Sequence, residues 1–167
     1  MKKQLSPLEE FLIMPELRPV TLQNWQSLIK LKVREDQTGF VASNLYSIAQ
    51  AQFGDEYEGH WDLFPFGIYE DNVPVGFLMY GLNFEHPTQQ AFIQRLMVDE
   101  KFQGKGYGRF GMEKMLENFR TDERIKEVGI SYEPENKGAR KLYASLGFVE
   151  TGRIIESETE AVLKLRS

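Results

Sequence analysis

The glycine-rich segment Gln103–Gly108, with the sequence Gln-Gly-Lys-Gly-Tyr-Gly, restricts the fold more than any other part of the chain. The run Ala91–Val98 before it predicts a strand, and apolar residues at helical spacing over Met112–Phe119 follow it. Strand, loop and helix in direct succession indicate an α/β domain. Glycines allow consecutive N–H groups to converge beside a helix start, so the segment predicts a phosphate cradle unless it is an ordinary connector.

The remaining strand and helix patterns complete one sheet. Asp71 and Asn72 lie between two runs rich in β-branched and aromatic residues and predict a tight hairpin turn, and Gly147 ends the last helical stripe. The predicted order is β-α-α-β-β-β-α-β-α-β-β, a mixed sheet with helices on its faces. The other predicted strands are Leu17–Thr21, Phe66–Glu70, Val73–Leu82, Lys126–Tyr132, Phe148–Ile155 and Ala161–Leu165, and the other predicted helices cover Trp25–Ile29, Ser43–Phe53 (with Leu45, Ile48 and Ala49 inward) and Ala139–Leu146.

The length of 167 residues suits one domain, which we place at residues 15–167 after an extension of residues 1–14. Within the extension, Ser6–Glu9 predicts a helix start with a capping box. The apolar run Phe11–Met14 is interrupted by Pro15 and is too short for a signal-peptide core or a membrane span. We therefore expect no targeting segment and no membrane association.

Cysteine content and charge argue against several classes of function. The chain has no cysteine, which excludes disulfides, thiol nucleophiles and thiolate metal ligands and fits a cytoplasmic location. The formal net charge of −5 disfavours nucleic-acid binding and suits a small cationic substrate, although mild acidity also serves solubility alone. His60 and His86 are isolated from other ligand types, so no metal site is predicted.

A second motif, Asn136–Phe148, makes the pattern specific to a family. It fits Asn-x-x-Ala-x-x-Leu-Tyr-x-x-x-Gly-Phe, and Gln103–Gly108 fits Gln/Arg-x-x-Gly-x-Gly. With these motifs the chain resembles the GNAT family of N-acetyltransferases from Leu17 onward. Val75–Gly81, Gln94–Val98 and Glu133–Asn136 look most like the bacterial spermine and spermidine acetyltransferases. The resemblance implies an α/β GNAT fold with a mixed, mostly antiparallel central sheet and helices on both faces.

The resemblance also implies a cosubstrate, acetyl-CoA, and the residues that bind it. In the family, the strand before the glycine-rich loop splays from its neighbour, and its exposed backbone groups bind the pantetheine arm and polarise the thioester carbonyl. The loop would hold the pyrophosphate, Asn136 would contact the cosubstrate near the pantetheine, and Tyr143 would stand by the sulfur. The implied cofactor-binding residues are Leu96, Met97, Val98, Gln103, Gly104, Lys105, Gly106, Tyr107, Gly108, Arg109 and Asn136.

The implied reaction is direct attack of a neutral amine on the thioester carbonyl in a ternary complex. Backbone N–H donors stabilise the oxyanion, and the hydroxyl of Tyr143 can protonate the departing sulfur as a general acid. Tyr143 also lies on the apolar stripe of its helix, where a tyrosine commonly serves packing alone. The surrounding motif favours the catalytic role.

The proton acceptor is not identified by any motif. An alkylammonium group has a pKa of roughly 10, so a proton must be removed before attack. In polyamine acetyltransferases a carboxylate often occupies the position of Gln94, and an amide does not serve as such a base. The alternatives are water relayed by Gln94, backbone carbonyls or a nearby carboxylate, or a small neutral fraction of the amine.

The loop between the first two helices covers the amine pocket in the family. The resemblance therefore implies Glu35, Asp36, Asn44 and Tyr46, together with Gln94, as substrate-binding residues. The acidic run formed by Asp55, Glu56, Glu58 and Asp62 either attracts a polycation or is a solvated surface.

The resemblance implies an acetyl-CoA-dependent N-acetyltransferase for a primary amine, with spermidine or spermine as the first acceptor. The alternatives are an enzyme for a protein or peptide amine, an aminoglycoside or an amino acid, and a non-catalytic acyl-CoA-binding module on the same fold. The expected partner is a small-molecule amine rather than nucleic acid or membrane, with the terminal strands as an edge for a homodimer.

Overall fold

Seven strands pair into one mixed sheet, in the order β1-β2-β3-β4-β5-β7-β6, in a computed structural model that describes residues 14–167. Neighbouring strands are antiparallel except β4 and β5, which run parallel. The strands are β1 (Glu16–Pro19), β2 (Asp62–Glu70), β3 (Val73–Leu82), β4 (Ala91–Val98), β5 (Glu127–Tyr132), β6 (Val149–Ile155) and β7 (Glu158–Lys164). The helices are α1 (Trp25–Leu28), α2 (Asn44–Gln50), α3 (Tyr107–Thr121) and α4 (Lys137–Ser145), with a 3-10 turn at Glu35–Gln37. The predicted α/β order and mostly antiparallel sheet are confirmed.

Apolar clusters on both faces of the sheet explain why its central strands are buried. Phe77, Leu78 and Met79 are consecutive on β3, and all three are fully buried. Leu78 packs toward α3 and α4, whereas Phe77 and Met79 pack against the segment that contains α1 and α2. A strand covered on both faces reads as a continuous apolar run rather than as an alternation.

Local turn chemistry follows the sequence closely. Asp71 and Asn72 connect β2 to β3 with positive φ angles of 47° and 66°, the conformation of the predicted tight hairpin turn. Gly147 ends α4 with φ of 96°, as a glycine after a helix does. The terminal strands differ from the prediction, because a turn at Glu156 and Ser157 joins them and β7 begins at Glu158.

The predicted inward face of α2 was wrong for two of its three residues. Leu45 is 55% exposed and Ala49 is also exposed, while Asn44 and Ser47 are buried and Ile48 is half-buried. The polar side chains tolerate burial because each has a backbone acceptor: Asn44 donates to the Leu28 carbonyl and Ser47 to the Ser43 carbonyl.

Two predictions concern the start of the chain. The helix start at Ser6–Glu9 and the extension of residues 1–14, apart from Met14, lie outside the described residues. Among residues 14–167, no helix is both long and apolar enough to cross a membrane.

Candidate active site

The parallel pairing of β4 with β5 stops partway along both strands. Ala91–Ile93 pair with Val128–Ile130, after which β5 continues against β7 alone. Gln94 lies at the point of divergence, as the extra residue of a β-bulge between Ile93 and Arg95. The strands open into a wedge, and a cavity of about 880 Å³ is lined by residues of both.

The backbone of β4 faces this wedge at the two positions that the resemblance implies. In an antiparallel pair, the N–H and C=O groups of successive residues point alternately toward and away from the partner strand. The Asp99 N–H donates to the Val75 carbonyl of β3, which puts the backbone groups of Leu96 and Val98 on the other side, toward the wedge. The Val98 carbonyl accepts a hydrogen bond from the Gln103 side chain at 3.0 Å.

The glycine-rich loop passes from the wedge into α3 through Gly104 and Gly106, with φ angles of 75° and 89°. A Cβ at either position would meet no atom within 4 Å, so the backbone conformation, not crowding, requires glycine. Gly106 caps α3 without a side-chain hydrogen bond. The N–H groups of residues 103–109 find no acceptor within residues 14–167, which leaves a row of donors at a helix start for an anionic group.

Two side chains of the loop have partners within the protein. Gln103 donates to Gln37 at 2.8 Å and accepts from Arg34 at 3.1 Å, so it ties the loop to the 3-10 turn. Tyr107 is buried and donates its hydroxyl to Glu70; burial and this carboxylate raise the pKa of Tyr107 to about 12. The Tyr107 side chain therefore packs into the protein interior, with its hydroxyl held by Glu70.

The charged side chains of Lys105 and Arg109 also contact other residues of the protein. Arg109 binds Ser145 Oγ at 2.6 Å and Glu113 at 3.3 Å, and Lys105 lies 5.4 Å from the Phe102 ring centroid. Of the implied cofactor-binding residues, those that line the cavity are Leu96, Met97, Val98, Gln103, Gly108 and Asn136. Those outside the lining are Gly104, Lys105, Gly106, Tyr107 and Arg109.

Asn136 and Tyr143 bring α4 to the cavity wall. Asn136 caps the helix by accepting from the Ala139 N–H at 3.2 Å, and its amide nitrogen remains as a donor. Tyr143 is 6% exposed and packs against Tyr132 and Phe148, with ring centroids 5.5 and 6.1 Å away. The implied catalytic residue is thus also a core residue.

The environment of Tyr143 limits its chemistry. Burial, and then the charge of Glu158, raises the pKa of Tyr143 well above its usual range. Burial and carboxylates both disfavour the phenolate, so the hydroxyl stays protonated at neutral pH. Tyr143 can donate a hydrogen bond to a thiolate more readily than it can give up a proton.

Three implied acceptor residues lie away from the cavity lining. Glu35 and Asp36 lie on the 3-10 turn, where Asp36 pairs with Arg34 at 3.2 Å. Asn44 is 4% exposed, and its amide holds α2 to α1 through the Leu28 carbonyl at 2.9 Å. The structure thus places Glu35, Asp36 and Asn44 outside the cavity lining, and their role in substrate binding stays a prediction.

The other two implied acceptor residues, Tyr46 and Gln94, line the cavity. The acidic run divides as well: Asp55 and Glu58 line the cavity, whereas Glu56 and Asp62 pair with His60 outside it. The hydrogen bond to Glu56 is the main reason that the pKa of His60 is raised.

Sequence reasoning missed most of the charge in the cavity. We use the name acidic wall for its carboxylates Asp55, Glu58, Glu133, Glu156, Glu158 and Glu160, of which the last three come from the terminal hairpin. Arg153 of β6 links two of them, at 2.5 Å from Glu58 and 3.9 Å from Glu160. No local pattern marks this hairpin, because its role depends on β7 lying beside β5.

Arg95 is the only lysine or arginine among the described residues that line the cavity. It donates to the Gln94 carbonyl at 2.6 Å and to Gln50 at 3.2 Å, and its Nε is buried without a partner in the described part of the chain. Burial lowers the pKa of Arg95, and the charges of Glu158 and Asp55 oppose that shift.

The sequence predicts no metal site, and this stays a prediction. No group of three or more His, Asp or Glu side chains within residues 14–167 is placed to hold a metal ion.

Taken together, the wedge, the uncapped helix start and the adjoining acidic cavity define an acyltransferase of the N-acetyltransferase type. The chain belongs to the acetyltransferase (GNAT) family, whose family model matches residues 25–148.

Relatives and solved structures agree with this assignment. A spermine/spermidine N(1)-acetyltransferase of Bacillus subtilis is 26% identical over 142 residues, which cover 83% of this chain and 90% of that protein. The fold is similar to that of a spermidine N-acetyltransferase from Vibrio cholerae in complex with CoA and spermine, at a TM-score of 0.69 and 17% identity over 90% of this chain and 95% of that one. An aminoglycoside acetyltransferase in complex with coenzyme A gives a TM-score of 0.71 at the same identity and coverage.

Proposed function

We propose that this protein transfers an acetyl group from acetyl-CoA to a primary amine, and that the amine is a polyamine such as spermidine or spermine. The acidic wall is the observation that carries the choice of acceptor. Its six carboxylates share a cavity with one lining arginine, so the local field favours a cation. The B. subtilis relative is named for spermine and spermidine, which supports the same class of acceptor.

The cosubstrate half of the cavity fits a coenzyme A thioester. We assign the pyrophosphate to the free N–H groups of residues 103–109 and the pantetheine arm to the open backbone of Leu96 and Val98. An N–H donor on this edge would stabilise the oxyanion formed when the amine attacks. The Tyr143 hydroxyl would donate a hydrogen bond to the departing thiolate.

The acceptor half offers both charge and aromatic surface. Tyr46, Tyr57 and Trp61 line the cavity together with the acidic wall. Aromatic faces attract alkylammonium groups, and their edges pack against methylene chains. A linear polyamine presents these two features in alternation, which makes it a better match than an uncharged amine.

A panel of acceptors with release of the CoA thiol as readout tests the proposal. Spermidine and spermine are expected to give the highest kcat/KM, and a monoamine of similar chain length a much lower value. Raising the ionic strength should raise the KM for the polyamines, because attraction between exposed charges is screened. A preference for uncharged amines, or no turnover with any member of the panel, contradicts the proposal.

Arg95 supports a second candidate, an acceptor that carries a carboxylate beside its amine, such as an amino acid. A buried guanidinium Nε without a protein partner is a donor available to an anionic group. Amino acids therefore belong in the same panel, and Arg95→Lys distinguishes the two candidates. The variant should lose activity toward amino acids more than toward spermidine if this second candidate is correct.

The remaining expectations stay predictions. These are the cytoplasmic location, the homodimer formed through the terminal strands and the lack of nucleic-acid and membrane partners.

A further inference from the structure

Glu158 stands across the wedge from the backbone of β4. It begins β7, is half-buried and lines the cavity. Its carboxylate accepts a hydrogen bond from the hydroxyl of Ser131, the first β5 residue beyond Ile130, where pairing with β4 ends. The opening is thus bordered by the backbone of Leu96 on one side and by this carboxylate on the other.

Two other carboxylates of the acidic wall are held by neighbours. Glu58 forms an ion pair with Arg153 at 2.5 Å. Asp55 accepts from the Tyr57 N–H at 2.8 Å and from the Gln50 amide at 3.0 Å. Both oxygens of Asp55 are thus engaged, and the charge of Glu58 is balanced by the Arg153 guanidinium.

Glu160 and Glu156 are unsuited for different reasons. Glu160 is 3% exposed and accepts from Gln89 at 3.1 Å and from Thr151 at 2.7 Å, so both of its oxygens are engaged. Glu156 is exposed on the turn between β6 and β7, where a charge attracts a cation without being near a fixed reacting atom. Glu133 lines the cavity after β5 and is half-buried, but no side chain of residues 14–167 hydrogen-bonds to its carboxylate. Glu158 combines cavity access with a hydroxyl that orients it.

Electrostatic coupling places Glu158 near the reacting end of the cavity. Glu158 is the one carboxylate whose charge adds to the raised pKa of Tyr143, and it also opposes the lowered pKa of Arg95. Tyr143 is the residue assigned to the thioester sulfur. The Glu158 carboxylate is therefore close enough to both Tyr143 and Arg95 for its charge to act on them.

We propose that Glu158 is the general base for acetyl transfer, oriented by the hydroxyl of Ser131. The assignment rests on the proposed function. It supplies the carboxylate that Gln94 cannot provide, from a strand at the opposite side of the wedge.

The proton transfers balance as follows in the proposed step. The acceptor enters as an ammonium ion, and one proton passes through the Glu158 carboxylate to solvent. The neutral nitrogen forms the N–C bond, and the same carboxylate takes a second proton from that nitrogen. The C–S bond breaks as the carbonyl reforms, and the electron pair leaves with sulfur, which takes a proton from solvent. Each turnover releases one proton when CoA leaves as the thiol.

Glu158→Gln tests the assignment because it keeps the size of the side chain and an oxygen that can accept from Ser131. The kcat for the best amine should fall about 100-fold or more, since a positioned base contributes at least that much. Calorimetry should give an unchanged affinity for acetyl-CoA. Glu135→Gln is the matched control, because Glu135 is an exposed carboxylate outside the cavity lining, and it should retain the wild-type kcat.

Rescue separates a base from a structural residue. Glu158→Ala should be inactive alone and should regain turnover as formate is added, because a small carboxylate can enter the space left by the side chain. Glu156→Gln should instead raise the KM for spermidine more than it lowers kcat.

The outcomes distinguish this assignment from the proposed function. If the wild type acetylates no amine, the proposed function fails whatever Glu158 does. If the wild type is active and Glu158→Gln matches it, only the assignment of the base fails. Glu158→Gln can also lose activity while formate fails to restore activity to Glu158→Ala. That pair of results overturns the assignment and leaves Glu158 a structural residue.

Discussion

The two halves of the cavity are built in different ways. The cosubstrate half comes from two continuous segments, the end of β4 with the loop into α3 and the start of α4, and it offers mainly backbone groups. The acceptor half is assembled from side chains on α2, the loop before β2, β4, and the β6–β7 hairpin. Backbone donors suit a group that every relative must bind, whereas scattered side chains can change with the acceptor while the fold is kept.

Gly106→Glu gives the largest expected effect and tests the backbone character of the cosubstrate half. The variant places a negative side chain in the pyrophosphate cradle at a φ of 89°. We expect calorimetry to detect no binding of acetyl-CoA, which corresponds to an affinity lower by roughly 1000-fold or more. The glutamate repels the pyrophosphate and also keeps it away from the backbone N–H groups of the loop.

Gly152→Glu is the control for backbone strain. Gly152 resembles Gly106 in having a positive φ, here 83°, and in having no atom within 4 Å of a Cβ built on it. It differs in position, because it lies on β6 outside the cavity lining. Both variants should lose about 1–3 kcal/mol of stability, the usual cost of a strained residue. Normal acetyl-CoA affinity in folded Gly106→Glu would remove the pyrophosphate from this loop.

Tyr143→Phe tests a side chain on the border between the two halves. The ring that packs against Phe148 is kept, and only the hydroxyl is lost. We expect kcat to fall roughly 10–100-fold, because a hydrogen bond to a charged group contributes about 1.5–3 kcal/mol. The affinity for acetyl-CoA should change little.

The pH profile sharpens this test. The pKa of Tyr143 is raised by burial, so the hydroxyl stays protonated across the range in which the enzyme is assayed. The alkaline limb of the wild-type profile should therefore persist in Tyr143→Phe. Disappearance of that limb, or full activity of the variant, would contradict the hydrogen-bond role.

Asn136→Ala tests whether a helix cap also binds the cosubstrate. Loss of the bond to the Ala139 N–H should cost about 1 kcal/mol of stability, measured by urea unfolding. Loss of the amide donor should weaken acetyl-CoA binding by roughly 2–10-fold, the value of one hydrogen bond. Ser43→Ala removes the cap of α2 and should cost similar stability without changing that affinity. Equal affinities in the two variants would limit Asn136 to capping.

Tyr46→Ala gives the smallest expected effect and tests the acceptor half. A cation–π contact at an exposed site contributes about 0.5–1 kcal/mol, so the KM for spermidine should rise roughly 2–5-fold. Leu45 is the matched control, because it is 55% exposed against 59% for Tyr46 and does not line the cavity. If Leu45→Ala raises the KM equally, the effect belongs to α2 as a whole.

The same division explains which site residues could be read from the sequence. Gly104, Gly106 and Asn136 were predicted because their roles depend on neighbours within a few residues. Glu35 and Asp36 were placed in the acceptor site by analogy with the family, and the direction of an exposed turn does not follow from a motif. The sequence of a short helix also does not reveal that the Asn44 side chain is buried with the Leu28 carbonyl as its hydrogen-bond partner.

The sequence alone determined the succession of elements, the Asp71–Asn72 hairpin turn and the left-handed glycines, because backbone preferences act over a few residues. Tertiary structure decided the bulge at Gln94, the burial that keeps Tyr143 protonated, and the position of Glu158 across the wedge. The bulge depends on how β4 pairs with β3, the burial of Tyr143 on how α4 packs into the core, and the position of Glu158 on how β7 pairs with β5. The acceptor chemistry depends on such pairing, since β7 reaches the cavity only by lying between β5 and β6.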